Sequence, residues 1–320
     1  MANYLSTLHQ TLIDIMRADE RVIVLGPLDN PTEGPRVDEL FGADRVPPVP
    51  VSELALAGAA LGAALAGLRP IVTFGISSFM LNAWEQVVNE APHFRYMSGG
   101  QVEVPIVLHC AGGARGAGGA QHSHSLQAML WNTPGLRIAL PATPADVRGL
   151  WPAAVADPNP VVIMDGRRLY GTSGPDSDEG SSLPFGQGRI RRPGGDVTIV
   201  ATSWLVGQAL AAAEELSHDG IDAEVIDPRT LVPLDEDLIL QSVAKTGRLV
   251  VADETHLSCG VGAEIAARIG HRAFRELEAP IERVATADVP IPFSPALEPV
   301  IVPGLRQIAE AAKRAVAYRA

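Results

Sequence analysis

Residues 50–74 read PVSELALAGAALGAALAGLRPIVTF. After Glu53 come 15 residues, Leu54–Leu68, with no charge and no strongly polar side chain. That run is shorter than the roughly 20 apolar residues a membrane span takes, so it reads as a helix of a water-soluble fold. Ser52 is placed to act as its N-cap, and a carboxylate in the first turn suits the helix dipole. Gly58, Ala59, Gly62, Ala63, Ala66 and Gly67 are small, and small residues at helical spacing let a second backbone approach closely. The expected neighbour is another element or a symmetry mate. Ile71–Phe74 follows as a short apolar strand, so the stretch is a helix leading into a strand. A glutamate at the mouth of so dry a helix has a raised pKa if it is buried, which makes Glu53 a candidate proton donor or shuttle. The same acid also fits ordinary helix grammar, and its chemistry alone does not separate the two readings.

Working outward, the alternation continues in both directions. Tyr4–Ala18 reads as an amphipathic helix, Val22–Leu25 as a strand, and Val37–Phe41 as one further helical turn. Val46–Val51 is held extended by its prolines. Phe79–Met97 reads as one long helix with a kink or break at Pro92. Val104–His109, Leu136–Leu140 and Val161–Met164 read as strands, with a helix over Ala145–Ala156 between the last two. These strands are continuous apolar runs, the pattern of a parallel α/β sheet covered on both faces. Residues 171–195 shift to Gly, Ser, Pro and Asp, as a boundary does. From Asp196 a second alternating unit follows, with strands at 197–203, 223–226, 249–252 and 281–286 and helices at 205–219, 234–245, 260–277 and 305–318. The expectation is therefore two doubly wound α/β domains, 1–175 and 196–320, joined by a linker at 176–195.

Composition agrees with a globular enzyme more than with a nucleic-acid or membrane protein. Of 320 residues, 47% are hydrophobic and 19% charged, and the net charge of −12 disfavours nucleic acid or an anionic membrane as the main partner. The two cysteines, Cys110 and Cys259, form no CxxC pattern, so neither a disulfide framework nor a zinc knuckle is expected. Residues 1–22 lack the basic and apolar regions of a signal peptide, which makes a cytoplasmic protein the expectation.

Several residues invite a chemical reading beside a plain one. The loop AGGARGAGGAQHSHS at 111–125 matches neither GxGxxG nor GxxxxGK[ST], so it is no nucleotide fingerprint. It is either a tolerant turn or a place that something approaches closely. His122 and His124 would share one face of a strand, but no third metal ligand has suitable local spacing. A substrate-facing histidine beside the loop and a histidine capping the next helix are both consistent with the pattern. Phe79 and Trp84 read first as core packing. Cys110, apolar-flanked, reads as packed rather than reactive.

Taken together, the segments resemble one family. VSE ahead of GAALGAALAGLRPIV, FMLNAWEQVVNEAPHFRYMSGGQ, VPIVL, GAGGAQHSHSLQAMLWNTPGLRIALPATPADVRGL and ADPNPVV are followed in order by VTIVATSWLVGQALAAAEEL, IDAEVIDPRTLVPLD, KTGRLVVADE, GVGAEIAARI and DVPIPFSPALE. This set resembles the β subunit of the E1 component of 2-oxo acid dehydrogenase complexes over nearly the whole chain. The resemblance implies a thiamin diphosphate enzyme with an N-terminal pyrimidine-binding parallel sheet and a C-terminal transketolase-type sheet, parallel or mixed. It assigns Glu53 to N1′ of the cofactor's aminopyrimidine, Phe79 to the face of that ring, and His122 to the active-site channel, where it helps proton and acyl transfer. It also places a structural potassium ion at Ile106, Ala154, Val155, Asp157 and Asn159, oxygen donors that suit a hard cation.

A self-sufficient member of such a family carries a GDG motif for Mg²⁺ and the diphosphate, and no GDG occurs here. The resemblance therefore implies an α-type subunit that supplies the Mg²⁺ ligands in an α₂β₂ heterotetramer, with a lipoyl domain or lipoyl carrier protein as acceptor. The chain departs from the family pattern at Gly26-Pro27-Leu28, where an acidic GED is usual, at His109 in place of an arginine, and at His124 in place of a glutamine. These departures are expected on or near the channel side. The leading expectation is decarboxylation of a 2-oxo acid with acyl transfer to a lipoyl group. Its rivals are a two-component transketolase-like enzyme moving a glycolaldehyde unit from a ketose, and a non-catalytic α/β scaffold.

Overall fold

The computed structural model describes residues 1–31, 33–174 and 183–319. The chain forms two compact units, Met1–Gly112 with Met129–Phe185, and Gly113–Ala128 with Gly186–Ala320. The glycine-rich segment Gly113–Ala128, expected inside the first domain, thus groups with the second unit.

In the first unit, strands β1 (Val22–Leu25), β2 (Arg69–Ile76), β3 (Val107–Gly112), β4 (Arg137–Ala139) and β5 (Val161–Gly166) pair in parallel in the order β4-β5-β3-β2-β1. Register is set by Ile71 opposite Val107, and Val107 opposite Val161. Every residue of β3 and β5 is buried, as a sheet covered on both faces requires. Helix Tyr4–Ala18 buries Leu5, Leu8, Leu12 and Met16, and packs on helix Pro144–Ala156. Asn3 caps the former, its side-chain oxygen accepting the Ser6 N–H at 3.1 Å. The latter opens with a capping box between Thr143 and Asp146.

Four local expectations need correction. Ser52 makes no side-chain cap, and the Glu53 helix ends at Leu65, with Gly67 at φ 97°. Residues 79–97 are not one helix but a succession: an α-turn Ser77–Met80, a 3₁₀ turn Leu81–Ala83, a π-turn Gln86–Glu90 and an α-helix Ala91–Met97. Pro92 lacks an N–H, and the Ala91 N–H reaches five residues back to the Gln86 carbonyl. Strand β3 starts three residues later than expected, because Pro105 has no N–H and the Ile106 N–H turns back to the Val104 carbonyl at 2.9 Å. The turn at Val37 extends to Arg45 across a break at Gly42, φ 63°.

In the second unit, β6 (Arg189–Arg192), β7 (Val197–Ala201), β8 (Ala223–Asp227), β9 (Leu249–His256) and β10 (Glu282–Thr286) form a mixed sheet in the order β10-β9-β7-β8-β6. All neighbours are parallel except β6, which runs antiparallel to β8. Strand β6 falls inside the stretch expected to be a linker; residues 176–182 of that stretch lie outside the described residues. From β7 the chain adds β8 on one side and β9 on the other. The crevice beyond the carboxyl ends of β7 and β9 is therefore a topological switch point. Among the described residues no helix is long and apolar enough to cross a membrane. The α/β architecture in two units is as expected.

Candidate active site

In the first unit, strand β1 is followed by Gly26, where φ is 100° and an added Cβ would sit 2.1 Å from the Thr73 carbonyl oxygen. Only glycine lets the chain cross β2 that closely. The Thr73 hydroxyl then donates to the Pro27 carbonyl at 2.7 Å, strapping Gly26-Pro27-Leu28 onto β2. A cavity of about 550 Å³ opens above these strand ends, lined among others by His9, Pro27, Thr73, Glu53 and Phe79. The structure thus brings Glu53 and Phe79 to one wall. Glu53 arrives at the start of its helix, Phe79 in the turn that leaves β2.

Glu53 is half-buried rather than sunk into the unit, and its Oε2 lies 3.5 Å from the Asn82 amide nitrogen. The physical reason is that the described residues leave one face of its helix uncovered. Leu54 is 51% exposed, Val51 92%, and Ala55, Ala59 and Gly62 are exposed as well. Phe79 presents its ring to the cavity side with 37% of its surface accessible. His9 is a lining residue that the sequence did not single out. Its Nε2 lies 2.6 Å from the Asp29 carbonyl, which can only accept, so Nε2 carries the hydrogen and Nδ1 is a buried acceptor with no partner among the described residues. Burial pushes its pKa below the usual histidine value.

His109 does not lie on a channel side. It is buried on β3, its Nε2 2.9 Å from Asp165 Oδ2 and its ring edge-on to Trp151 at 5.0 Å. Tyr4 donates to the other oxygen of Asp165 at 2.6 Å. Burial and Asp165 together push the Tyr4 phenol well above its ordinary value. Cys110 is fully buried, and burial raises its thiol too.

The five residues expected to hold potassium gather where helix Pro144–Ala156 ends beside the entry to β3. Their side-chain oxygens are already engaged. Asp157 Oδ1 accepts the Asn159 backbone and side-chain N–H groups, both at 2.8 Å, and Oδ2 pairs with Arg137 at 2.7 Å. Asn159 Oδ1 accepts from Arg95 at 3.1 Å. The Val155 carbonyl accepts from the Arg69 guanidinium, and the Ile106 carbonyl from the Val161 N–H at 3.0 Å.

In the second unit, His122 closes a 3₁₀ turn, Ala120–His122, and is exposed; Ser123 turns inward and His124 outward. His124 lines a separate cavity of about 590 Å³ with His256, Ser258 and Asp288. The Ser258 hydroxyl and N–H hold the Asp288 carboxyl below its ordinary range. Among the described residues no three His, Cys, Asp or Glu side chains are grouped as a metal site would need.

Residues 1–172 match the transketolase pyrimidine-binding domain, and residues 186–308 the transketolase C-terminal domain. The pyruvate dehydrogenase E1 component subunit beta of Rickettsia felis is 41% identical over 321 residues, covering 98% of each chain. The chain belongs to the E1 β-subunit family. A mitochondrial pyruvate dehydrogenase E1 subunit beta of Oryza sativa is 42% identical over 98% of this E1 β-type chain and 85% of its own. The acetoin:2,6-dichlorophenolindophenol oxidoreductase subunit beta of Bacillus subtilis is 39% identical over 90% and 89%. A split-gene transketolase solved as an inactive β4 tetramer superimposes with a TM-score of 0.80 over 98% of both chains. At 24% identity that likeness concerns the fold alone. The family is one of thiamin diphosphate-dependent, transketolase-like enzymes.

Proposed function

We propose that this chain is the β subunit of a thiamin diphosphate enzyme that, with an α-type partner, decarboxylates a 2-oxo acid and passes the acyl unit to a lipoyl carrier. One observation carries the reading. Glu53 and Phe79 line one cavity, and the helix that starts at Glu53 carries an uncharged face that the described residues leave exposed. That exposed face supports a second protein as partner, and with no GDG motif in this chain the proposal gives that protein the diphosphate grip and the Mg²⁺ ligands. An α₂β₂ assembly in the cytoplasm is part of the same proposal.

When bound, the cofactor supplies the nucleophilic carbon and the electron sink. The residues of this chain fit its aminopyrimidine half. Phe79 offers a flat apolar ring face, and Glu53 a carboxyl that can hold a proton against a ring nitrogen. An α subunit seated on the exposed helix face takes Glu53 out of water and holds its carboxyl against the ring. His122, on its exposed turn, offers an imidazole that can take up or return a proton as the acyl unit leaves.

Glu53→Gln in the reconstituted pair tests the reading directly. The expected loss in kcat is about 10²–10⁴-fold, the range for removing a general acid–base group. Wild-type turnover in that variant would falsify the assignment and leave a scaffold role. Turnover of pyruvate, a branched 2-oxo acid and acetoin, compared side by side, identifies the substrate.

A structural potassium ion near Asn159 is part of the same proposal. The side-chain oxygens there are engaged, so the ion would use free lone pairs of backbone carbonyls, including those of Ala154 and Val155 at the negative end of their helix. A rubidium soak that gives no anomalous peak beside residues 154–159 removes it.

A further inference from the structure

The loop that carries His122 has little means of holding itself. Residues 112–119 are all Gly or Ala apart from Arg115, and four of them sit at positive φ: Gly113 (81°), Gly116 (69°), Ala117 (57°) and Gly119 (67°). Such a segment has almost no side chain to pack and a large entropy to lose on ordering. Its order has to come from what surrounds it, and within its own unit that surround is specific.

Glu298, only 3% exposed, points both carboxylate oxygens at the Gly116 N–H, each at 3.2 Å. Ala114 joins Ile291 and Val302 in a small buried apolar cluster. Gly119 lies against Phe293, with 3.7 Å left for a Cβ. At the base of the loop, the Gly113 N–H donates to the His124 carbonyl at 3.0 Å. Beyond His122, the buried Gln127 side chain donates to Asp253. Asp253 is fixed in turn within β9, just past the last residue paired with β7, by Thr202 and by the Thr255 N–H at 2.7 Å, near the topological switch point of the second sheet. His122 therefore hangs between two buried carboxyl anchors, one six residues before it and one five residues after it.

We propose that Glu298 and Asp253 are positioning residues for acyl transfer, holding the glycine-rich loop so that His122 is presented in one place. This rests on the reading of His122 given above. It assigns the C-terminal unit a task that the Glu53 site does not need. The acceptor step uses the loop, while Glu53 and Phe79 are held by a helix and a turn of the first unit.

The test uses the reconstituted complex and three readouts: substrate oxidation with 2,6-dichlorophenolindophenol as acceptor, acylation of a lipoyl domain, and tryptic cleavage after the exposed Arg115. In Glu298→Ala, lipoyl acylation is expected to fall on the order of tenfold more than dye reduction, the scale of losing a charge-assisted hydrogen bond. Cleavage after Arg115 should accelerate on the same order. Glu298→Gln keeps an acceptor oxygen and should restore most of both. Should Glu298→Ala fail to fold, Gln127→Ala removes the other anchor's contact and is read in the same way. His122→Ala should slow acylation without speeding cleavage. Equal loss of both activities with unchanged cleavage overturns the proposal, as does wild-type behaviour in both anchor variants. If His122→Ala acylates normally, the reading of His122 fails, while the cleavage data still decide whether the carboxyls anchor the loop.

Discussion

His9 sits at the cavity wall with one nitrogen committed to the Asp29 carbonyl and the other buried without a partner among the described residues. Desolvation is the main reason its pKa is lowered, opposed by the Asp29 carbonyl and by Asp38, and reinforced by Arg36. The sign of the stability effect follows from linkage. The folded pKa lies below the unfolded one, so between the two the unfolded chain binds more protons. Stability is full above about 6.5, the unfolded histidine value, and declines as pH falls through the folded value. His9→Gln should flatten that acid limb of unfolding free energy, measured by urea titration at a series of pH values. An unchanged slope would mean that His9 is solvated in solution. A single histidine on the buried face of an amphipathic helix gives no hint of this role, since its partner carbonyl lies 20 residues away. His109 shows the same limit. Strand β3 is buried on both faces, so period-2 alternation carries no information about where its side chains point. Its partner Asp165 is 56 residues downstream.

At the level of elements, what could be read early was what local chemistry determines. The Tyr4–Ala18 helix and β1 came out with their expected bounds because caps, turns and periodicity agree there. The Phe79–Met97 stretch did not, because α, 3₁₀ and π turns share the same residue preferences and differ only in which carbonyl each N–H reaches. The Glu53 helix is the informative case. Its lack of charge was plain from residues 54–68, and the structure adds that the uncharged face is open. Ala59→Arg belongs to this scale. Arginine is nearly as good a helix former as alanine, and position 59 is exposed, so the melting temperature of the isolated chain should stay within about 1 °C of wild type. Association with the α-type partner should drop sharply, because a charge would be desolvated against an apolar surface. Normal complex formation in sedimentation velocity would show that the partner docks elsewhere.

For the whole molecule, two units and their α/β character were legible from the alternation of strands and helices, and the shared family was legible from motifs in order. The allegiance of Gly113–Ala128 was not. It depends on contacts such as Gly116 with Glu298, 182 residues apart, which no local pattern encodes. The proposed cofactor site poses the same difficulty at larger scale, since on that reading this chain supplies only the wall with Glu53 and Phe79 and carries no GDG motif. A half-site has a thermodynamic signature. A ligand that binds only the assembled form stabilises it by RT ln(1 + [L]/Kd), about 2.7 kcal/mol at a hundredfold excess over Kd, and does nothing for a chain it does not bind. Purified alone, this chain should therefore melt at the same temperature with and without millimolar thiamin diphosphate and Mg²⁺. Mixed with a GDG-bearing α-type chain, it should melt higher as partner concentration rises, and higher again when cofactor is added, with activity saturating at one chain of each. A cofactor-dependent rise in the melting temperature of the lone chain would mean that the diphosphate is gripped here after all, and the division of the site between two polypeptides would have to be abandoned.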